Sequence, residues 1–419
     1  MRTVWILSDC EPLPCDDNPR LMRDGQLAEY LSENGWNVVW WAPSFNHGTK
    51  KDRFSNTTEI RINQYEKLVA LHSPIIYRKN TSVKRVFFYK CLVKELRKSF
   101  KENKNPDIIL CSWPTQSFAK VALKYGAEND VPVVLDVRDL WPDIFTRAFP
   151  DKVKGIGSIA LAPLKNQAKR LLRKADSIVS VTPAGLNWGL EKAGRKKRST
   201  DRVIYIGYKD QQLDETENHV FEEWDKLSVN SGTWNITYFG TFSDSTLDMV
   251  TCIKAFRKFS ERHKEARLIL CGAGDAEEKF KAAAGGNEQI IFPGWCSNEQ
   301  IKSVLSISDV GLYPFKNLED FKDAFGNKII GYMAASLPVM TSLEGFPKEY
   351  INKYGFGEIY LEGSVESCEE TLELFYSDEN KKSIMGRRAR ERYEKDFSTS
   401  VVNNQFTELF NSLINPSGE

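Results

Sequence analysis

Short apolar segments alternate with longer amphipathic segments along this chain, and that alternation restricts its fold more than any other feature. In the first half, strands are predicted at residues 3–7, 37–42, 107–111, 132–136 and 177–181, and helices at about 20–34, 82–103, 115–126 and 156–174. Strands separated by helices form parallel sheets through right-handed crossovers. The pattern therefore predicts an α/β fold that binds ligands beyond the carboxyl ends of its strands.

The alternation pauses at a charged run, Arg195 to Arg198, which we interpret as a solvated linker, and then resumes. Further strands are predicted at 202–206, 235–240, 267–271, 289–292, 309–313 and 338–341, and helices near 246–263, 275–284, 297–306 and 326–335. We predict two doubly wound, Rossmann-like domains facing across a cleft, at 1–198 and 199–385. Mostly helical residues 386–419 follow, and the sequence leaves open whether they cross back to the first domain.

The net charge of +1 conceals two halves of opposite sign. Residues 1–200 contain 34 Lys and Arg against 21 Asp and Glu, a net +13, and the remainder contains 24 against 36, a net −12. A basic half joined to an acidic half suggests a different partner for each.

The sequence predicts a cytoplasmic protein without a metal or a cofactor. Its eight cysteines include no Cys-x-x-Cys pair, and it has only four histidines, which favours free thiols over a zinc site. No segment approaches 18 consecutive apolar residues, so no membrane span is expected.

Two strand-to-helix turns in the second half contain glycine where a phosphate group would approach the backbone. The candidate residues are Gly240, Thr241 and Ser243, with Asp244 or Ser245 as alternative helix caps, in the first turn, and Gly272 and Gly274 in the second. The amides of a helix N-terminus attract an anion there. Each turn alone is equally an ordinary capped connection, whereas the two together favour phosphate binding.

The segment from Asp323 to Met340 is interpreted as a loop, a short helix that starts near Gly326, and a strand. Asn327 and Lys328 fall in the first helical turn, where an ammonium group and free amides face the same way and suit an anion. The alternative is a lysine that is merely solvated. Two aromatic residues come from neighbouring strand ends: Trp295, either a core residue or the edge of a base pocket, and Phe315.

These segments together, in the same order, resemble the nucleotide-binding half of family 4 glycosyltransferases with the two-domain B-type fold. The most specific match is Asn-Lys-Ile-x-x-Tyr-Met-Ala-Ala-x-x-Pro-Val, which begins at Asn327. The resemblance implies that the amides at 240–246, Gly272, Gly274 and Lys328 hold a donor diphosphate.

The chain departs from the family pattern at two glutamate positions, and it loses the carboxylate at one of them. Members usually carry two glutamates with seven residues between them, the first contacting the sugar and the second the ribose; Asp323 and Gly331 stand there instead. The resemblance assigns Asp323 to the sugar and leaves the ribose to Glu344 or to backbone groups. On this alignment, Gly331→Glu is expected to restore the ribose contact.

Polar residues follow a strand in the first half. Arg138, Asp139 and Asp143 stand at a predicted carboxyl end, where they would orient an acceptor or simply cap and pack a turn. The surrounding Asp-Val-Arg-Asp-Leu-Trp-Pro, and the segments 19–28 and 40–47, resemble bacterial members that build O-antigen, capsule and exopolysaccharide. The resemblance places a set of basic residues near an acceptor pyrophosphate: Arg20, Arg23, His47, Lys51 and Arg53.

Two basic helices are predicted in the same half. Residues 84–101 carry seven cations and one anion, and Phe88, Leu92, Leu96 and Phe100 recur along one face; residues 165–174 add five cations. A basic amphipathic helix suits an anionic membrane surface. These helices would equally be core elements with solvated basic faces, and nucleic acid is a weaker alternative because no reading module is present.

Together these observations predict a metal-independent glycosyltransferase of cell-surface polysaccharide synthesis, and the resemblance implies that it retains the anomeric configuration of the transferred sugar. The donor would be a nucleotide diphosphate sugar, UDP-linked by resemblance, and the acceptor a polyprenyl-diphosphate glycan at the inner face of the cell membrane. A sugar-nucleotide epimerase of the same fold and a weakly active, nucleotide-sugar-binding partner subunit remain alternatives.

Overall fold

The computed structural model describes residues 1–17, 19–79, 82–143, 161–210 and 219–415. This part of the chain forms two compact units, one from Met1–Gly207 with the chain from Val402 onward, the other from Tyr208–Val401. Each unit has a sheet of parallel strands flanked by helices, so the Rossmann-like α/β class is confirmed. Within the described residues, no helix is long and apolar enough to cross a membrane.

The first unit is built on an eight-stranded sheet in the order β10-β9-β8-β7-β1-β2-β6-β5. Its strands are β1 (Thr3–Leu7), β2 (Asn37–Pro43), β5 (Thr58–Arg61), β6 (Glu66–Leu71), β7 (Ile108–Trp113), β8 (Val133–Val137), β9 (Ser177–Ser180) and β10 (Arg202–Val203). All neighbours are parallel except β5 and β6. A separate hairpin pairs β3 (Phe45–Asn46) with β4 (Lys51–Asp52). The helices of this unit are α1 (Arg23–Glu33), α2 (Val83–Glu102), α3 (Gln116–Asn129), α4 (Ala162–Lys174) and α5 (Pro183–Ala193).

The register of the central strands determines which loops meet. Leu7 of β1 lies opposite Trp41 of β2 and Cys111 of β7, so the three strands finish at the same edge of the sheet. Strands β1 and β7 are buried on both faces, as expected where helices cover a parallel sheet. The polar residues that follow them are therefore brought together.

Helix α2 packs its apolar face on this sheet. Phe88, Leu92, Leu96 and Phe100 are buried in one cluster with Trp5 and residues of neighbouring strands. The sequence left open whether this apolar face contacts a membrane or the core. The structure buries it in the core. The apolar stripe of α2 is therefore part of the core, and the basic residues of the helix lie on its exposed side.

The second unit contains a six-stranded parallel sheet in the order β13-β12-β11-β14-β15-β16. Its strands are β11 (Trp234–Phe239), β12 (Ala266–Cys271), β13 (Ile290–Gly294), β14 (Val310–Tyr313), β15 (Val339–Thr341) and β16 (Gly357–Ile359). Its helices are α6 (His219–Lys226), α7 (Met249–Arg262), α8 (Glu277–Ala284), α9 (Asn298–Ser306), α10 (Glu319–Lys322), α11 (Asn327–Ala334), α12 (Phe346–Tyr354), α13 (Val365–Ser377) and α14 (Glu379–Arg392).

A π-helical turn, Tyr393–Phe397, precedes the last helix, α15 (Thr399–Ile414). From Val402 this helix belongs to the first unit. Val402, Phe406, Leu409 and Phe410 are buried there with Leu27 of α1. Burial of this apolar stripe explains why the chain returns to the first unit.

Two details of the sequence interpretation are corrected. The strand predicted at 202–206 was assigned to the second domain, but β10 pairs with β9 at the edge of the first sheet. The charged run 195–198 also lies inside the first unit, where Arg195 forms an ion pair with the buried carboxylate of Asp201. Strands β3, β4, β5, β6 and β16 were not predicted.

Candidate functional site

Lys328 lies in the first turn of α11, as the sequence predicted. Gly326 is the N-cap of this helix. Any larger residue would not fit there, because a β-carbon would stand 2.2 Å from the Tyr313 hydroxyl oxygen. Glycine therefore allows the helix to begin against the end of β14. Asn327 is exposed beside it.

The ammonium of Lys328 lies near two aromatic rings and has no counter-ion among the described residues. Its Nζ lies 5.7 Å from the ring centroid of Tyr238 and 5.3 Å from that of Phe315. A β-carbon on Gly240, which has φ +138°, would stand 2.3 Å from Lys328 Cε, so only glycine leaves room for this side chain. Lys328 makes no hydrogen bond or ion pair with any described residue. Burial lowers its pKa.

The two glycine turns pack on each other instead of leaving an open backbone cradle. The Gly240 amide donates to Cys271 O at 2.8 Å, and the Phe242 amide to Ala273 O at 2.9 Å. A β-carbon would stand 1.9 Å from Gly240 O if built on Gly272, and 2.1 Å from Phe242 O if built on Gly274. Both glycines are therefore explained by close contact between two turns, and that contact positions Gly240 beside Lys328.

The helix expected to start near Ser243 begins later. Helix α7 starts at Met249, and Ser243 instead forms a turn that accepts hydrogen bonds from the amides of Thr246 and Leu247. The predicted helix amides at 240–246 are thus not a helix N-terminus, because the chain makes this extra turn first. Thr241 is exposed, and the Ser243 hydroxyl bonds with that of Ser245.

The other residues predicted to bind the sugar donor differ in their exposure and in their contacts. Phe315 stacks on Tyr313, with ring centroids 4.4 Å apart. Trp295 is 73% exposed, so its interpretation as a core aromatic is wrong. Glu344 forms an ion pair with Lys348. The carboxylate of Asp323, directly after α10, makes no hydrogen bond or ion pair within the described chain.

In the first unit, Arg138 is the centre of a buried ion network. Its guanidinium donates to Glu11, Asp24 and Asp136, the last at 2.8 Å. Arg23, expected to face an acceptor, is instead buried: it donates to Asp136 at 2.8 Å and to Ile204 O at 2.9 Å. The donors of both arginines are therefore directed at carboxylates and carbonyls of the protein.

Burial and charge act in opposite directions on the carboxyls of this network. Burial opposes ionisation of Asp136, but the guanidiniums of Arg23 and Arg138 hold its pKa below the ordinary value. Burial, together with the charge of Asp24, raises the pKa of Glu11 to about 8. The network thus holds two permanent cations against carboxyls of unequal acidity.

A second polar cluster occupies the edge where β1, β2 and β7 end. Asp9 accepts hydrogen bonds from His47 Nε2 at 3.1 Å, from the Thr115 hydroxyl at 2.9 Å and from the Tyr89 hydroxyl. Burial works against its charge, but these donors, His47 first, lower the pKa of Asp9. The sequence analysis missed Asp9 and Thr115, although each stands two residues after a strand, which is the signal that would have found them.

His47 is held on both sides of its ring. Its Nδ1 lies 2.6 Å from the Tyr77 hydroxyl, and its Nε2 is bonded to Asp9. Asp9, Cys10 and His47 place ligand atoms within 4.8 Å of one another, which makes them the described residues closest to a metal-binding arrangement. A metal there would have to replace the bond between His47 and Asp9.

The remaining acceptor-side candidates are dispersed. Arg53 pairs in a bidentate manner with Asp16, at 2.5 and 2.6 Å, so its donors are largely occupied. Arg20 and Lys51 are exposed, and Asp139 is half-buried. Asp143 forms an ion pair with Lys192 at 2.6 Å.

Two family models match the chain over ranges that do not overlap. Residues 25–209 match "Glycosyltransferase Family 4" and residues 225–392 match "Glycosyl transferases group 1". The first range lies almost wholly in the first unit, and the second lies in the second unit. Together they account for most of the sequence.

Curated relatives match part of the chain. The sulfoquinovosyl transferase SQD2 of Arabidopsis thaliana is 24% identical over 37% of this chain and 31% of its own length. The putative colanic acid biosynthesis glycosyltransferase WcaL of Escherichia coli K12 is 23% identical over 38% of this chain and 41% of its own length. The match therefore spans less than half of either relative.

Solved structures share the fold over nearly the whole chain. Sucrose-phosphate synthase from Thermosynechococcus elongatus has 15% identity and a TM-score of 0.71, with 100% of both chains covered. Anabaena Alr3699/HepE, solved in complex with UDP, has 14% identity and a TM-score of 0.63, with 98% of this chain and 100% of that chain covered. A Rickettsia africae glycosyltransferase has 15% identity and a TM-score of 0.66, with 99% of each chain covered.

Proposed function

Because this chain belongs to the family 4 glycosyltransferases, with the B-type fold, we propose that it transfers a sugar, with retention of configuration, from a UDP-sugar to a lipid-linked glycan. The acceptor would be a polyprenyl-diphosphate oligosaccharide used for cell-surface polysaccharide. The name of the WcaL relative, a putative colanic acid biosynthesis enzyme, supports the acceptor class. The UDP complex of the HepE structure supports the nucleotide.

The observation that carries this proposal is the ammonium of Lys328, which forms no ion pair with any residue that the structure describes. A cation that is partly removed from water and lacks a counter-ion is costly in the free protein, and an anionic ligand relieves that cost. Lys328 is the second residue of α11, and the N-terminal end of a helix also favours an anion. The donor diphosphate is the anion that we assign to this position.

The same contacts would assist the reaction. When the bond between the sugar and the diphosphate breaks, negative charge grows on the diphosphate, and a fixed ammonium stabilises that charge without having to reorganise. Tyr238 and Phe315 keep water from one side of Lys328, which strengthens the electrostatic effect. Asp323, whose carboxylate has no partner among the described residues, would orient hydroxyl groups of the transferred sugar.

On the acceptor side, the structure supports only some of the residues that the sequence suggested. Arg23, Arg53 and Arg138 are engaged by carboxylates, so the exposed Lys51 is the better candidate for a pyrophosphate contact. Asp139, half-buried at the end of β8, would orient the accepting hydroxyl. A lipid-linked acceptor also requires the enzyme to work at a membrane surface, and we propose peripheral association of the first unit with the inner face of the membrane.

A donor screen tests the proposal. The purified protein would be incubated with UDP-, GDP- and dTDP-linked sugars and with a polyprenyl-diphosphate glycan, and products would be identified by mass spectrometry and proton NMR. Transfer from a UDP-sugar with an unchanged anomeric configuration supports the proposal. An isomerised donor would indicate an epimerase, and tight binding without turnover would indicate a partner subunit. Lys328→Met is the inactive control and Lys322→Met the matched surface control, because Lys322 pairs only with the exposed Glu319.

A further inference from the structure

Two cysteines meet where two neighbouring strands of the second sheet end. Cys271 is the last residue of β12, and it lies opposite Gly294, the last residue of β13. The pairing of these strands is irregular between Ile269 and Cys271, and such irregularities redirect side chains at the edge of a sheet. Cys296 follows Gly294 by two residues. The fold therefore brings Cys271 and Cys296 together although they form no Cys-x-x-Cys motif.

Three hydrogen bonds hold the two thiols beside each other. The Gly272 amide donates to Gly294 O at 2.8 Å, and the Cys296 thiol donates to the same oxygen at 3.6 Å. The third bond joins the thiol of Cys271 to that of Cys296, and both residues belong to one apolar cluster. This bond lowers the pKa of the Cys296 thiol and, together with burial, raises the pKa of Cys271.

The two sulfur atoms differ in their access to solvent. Cys271 is 1% exposed, whereas Cys296 is half-buried and follows the exposed Trp295. An oxidant attacks a partly exposed thiol whose ionised form is stabilised, and a buried thiol beside it can then complete a disulfide. A second pair of cysteines lacks this access: the thiol of Cys368 bonds with that of Cys252, but both residues are buried.

Cys271 is also bonded to the turn that lies beside Lys328. Its carbonyl oxygen accepts the Gly240 amide at 2.8 Å, and a β-carbon on the next residue, Gly272, would stand 1.9 Å from Gly240 O. Gly240 in turn leaves the space that the Lys328 side chain occupies. Groups packed this closely have no free volume in which to absorb a movement, so a backbone shift at Cys271 would be transmitted to Gly240.

We propose that Cys296 and Cys271 are an oxidation-sensitive dithiol, which hydrogen peroxide converts to a disulfide that weakens diphosphate binding at Lys328. In the first step, the Cys296 thiolate attacks a peroxide oxygen, the O–O bond breaks and hydroxide leaves, which gives a sulfenic acid. In the second step, the Cys271 sulfur attacks the oxidised sulfur, the S–O bond breaks, and the Cys271 proton leaves with the hydroxyl group as water. In sum, two thiols and one peroxide give one disulfide and two waters.

The disulfide would act on the turn through Gly272. Bonded sulfur atoms lie closer together than unbonded thiols can approach, so the backbone has to move at one of the two cysteines. Both cysteines are linked to Gly272, because Cys271 precedes it and the strand end before Cys296 accepts its amide. The effect on the diphosphate rests on the proposed function, whereas formation of the disulfide does not.

Peptide mapping tests the dithiol. The intact protein is treated with hydrogen peroxide, the remaining thiols are alkylated after unfolding, and a digest is analysed by mass spectrometry without reduction. We expect linked peptides that contain Cys271 and Cys296, with a combined mass lower by two hydrogen atoms, and we expect dithiothreitol to separate them. Cys252 and Cys368 should be recovered in alkylated form, because peroxide does not reach them in the folded protein.

Single substitutions test the role of each sulfur. In Cys271→Ala, peroxide should leave a sulfenic acid on Cys296, which dimedone labels, because the second thiol is missing. In Cys296→Ser, Cys271 should stay reduced, because it is buried. Cys252→Ala is the matched control and should form the disulfide as the wild type does. If Cys271→Ala unfolds, Cys296→Ser still tests the proposal, since its side chain is only half-buried.

Calorimetry with UDP measures the consequence for the donor site. After removal of the peroxide, the linked wild type should bind UDP more weakly, on the order of tenfold, which is the smaller effect expected when a hydrogen bond to a charged group is lost. Dithiothreitol should restore the affinity. Cys296→Ser cannot form the link, so its UDP affinity should be the same before and after treatment.

Three outcomes would overturn the proposal. The first is the absence of linked peptides with Cys271 and Cys296 after peroxide treatment. The second is an unchanged UDP affinity of the linked protein, and the third is equal linkage of Cys252 with Cys368, because exposure would then not select the pair. A reduced wild type that fails to bind UDP would instead refute the proposed function, and the peptide map would still decide whether the dithiol exists.

Discussion

The phenol of Tyr208 fills the space beside Gly331. A β-carbon built on Gly331 would stand 3.3 Å from the Tyr208 hydroxyl oxygen and 3.5 Å from Phe239 Cζ. Tyr208 is held there from both sides, because its amide donates to Phe397 O at 2.8 Å and its carbonyl accepts from the Tyr393 hydroxyl at 2.9 Å. The expectation that a single substitution restores a carboxylate at Gly331 is therefore revised.

We predict that Gly331→Glu alone binds UDP no more tightly than the wild type, because the new side chain competes with the Tyr208 ring. In Gly331→Glu/Tyr208→Ala the carboxylate has room, and a charged hydrogen bond to ribose should contribute roughly 1.5–3 kcal/mol. Titration calorimetry measures both, with Tyr208→Ala as the control. If Gly331→Glu alone is stable and binds UDP more tightly than the wild type, the Tyr208 ring moves aside at little cost and the prediction is wrong.

Removal of the Lys328 charge should affect binding and stability in opposite directions. Lys328→Met should weaken UDP binding by roughly 1.5–3 kcal/mol, the value of a hydrogen bond to a charged group. The same change should raise the melting temperature of the nucleotide-free protein, because it removes a partly buried charge that has no partner in the described part of the chain. Lys322→Met should change neither quantity, and a normal UDP affinity for Lys328→Met would place the diphosphate elsewhere.

The lowered pKa of Lys328 also predicts a pH effect. Because burial disfavours its charged form, the free protein loses this proton at a lower pH than an ordinary lysine would, and a bound diphosphate restores it. UDP affinity should therefore fall as the solution becomes alkaline, with proton uptake on binding in that range. Calorimetry in buffers of different ionisation enthalpy measures the uptake, and Lys328→Met should show none.

The contact between the two glycine turns should be sensitive to a single methyl group. Gly274→Ala places a β-carbon against the backbone of Phe242, and backbone cannot rotate away, so the loss of stability should be roughly 1–3 kcal/mol. Gly232→Ala is the control, because its nearest neighbour is the flexible side chain of Asn230. Equal urea midpoints for the two variants would show that the turns separate readily.

Two adjacent phenylalanines on α2 should contribute very differently to the free energy of unfolding. Phe88→Ala should cost roughly 3–5 kcal/mol of unfolding free energy, since the ring is fully buried in the first core. Phe87→Ala should change stability by no more than about 0.5 kcal/mol, as expected at an exposed site. Urea unfolding distinguishes them, and equal effects would contradict the orientation of the helix.

The raised pKa of Glu11 predicts how stability changes with pH. The folded pKa of about 8 exceeds the ordinary value of 4.5, so the folded state retains a proton that the unfolded chain releases. The stability that the folded state gains from protonated Glu11 is fully present below pH 4.5, and it is lost as the pH rises through about 8. Glu11→Gln cannot titrate, and its stability relative to the wild type should rise between these two values. Glu59→Gln, on an exposed ion pair with Lys67, should follow the wild type.

Local sequence patterns were sufficient to predict most strands and helices and to place Lys328 at the start of a helix. Strand and helix periodicities arise within a few residues, so the alternation identified most of the parallel strands, and the sequence around Gly326 predicted the helix that starts there. The same patterns were insufficient for α2, because a helical apolar stripe is compatible with either a core or a membrane. They also assigned β10 to the wrong sheet, since a two-residue edge strand carries little signal.

The sequence by itself determined the α/β class, the family and the position of a lysine at a helix start, because each depends on residues close together in the chain. Only the tertiary structure decided what those residues face. Arg138 meets Glu11 across 127 positions, Asp9 meets Thr115 across 106, and Tyr208 lies beside Gly331. Such contacts depend on strand order and register, which the packing of the whole sheet selects. No local pattern contains that information, because its physical origin is the burial free energy of residues distant in sequence.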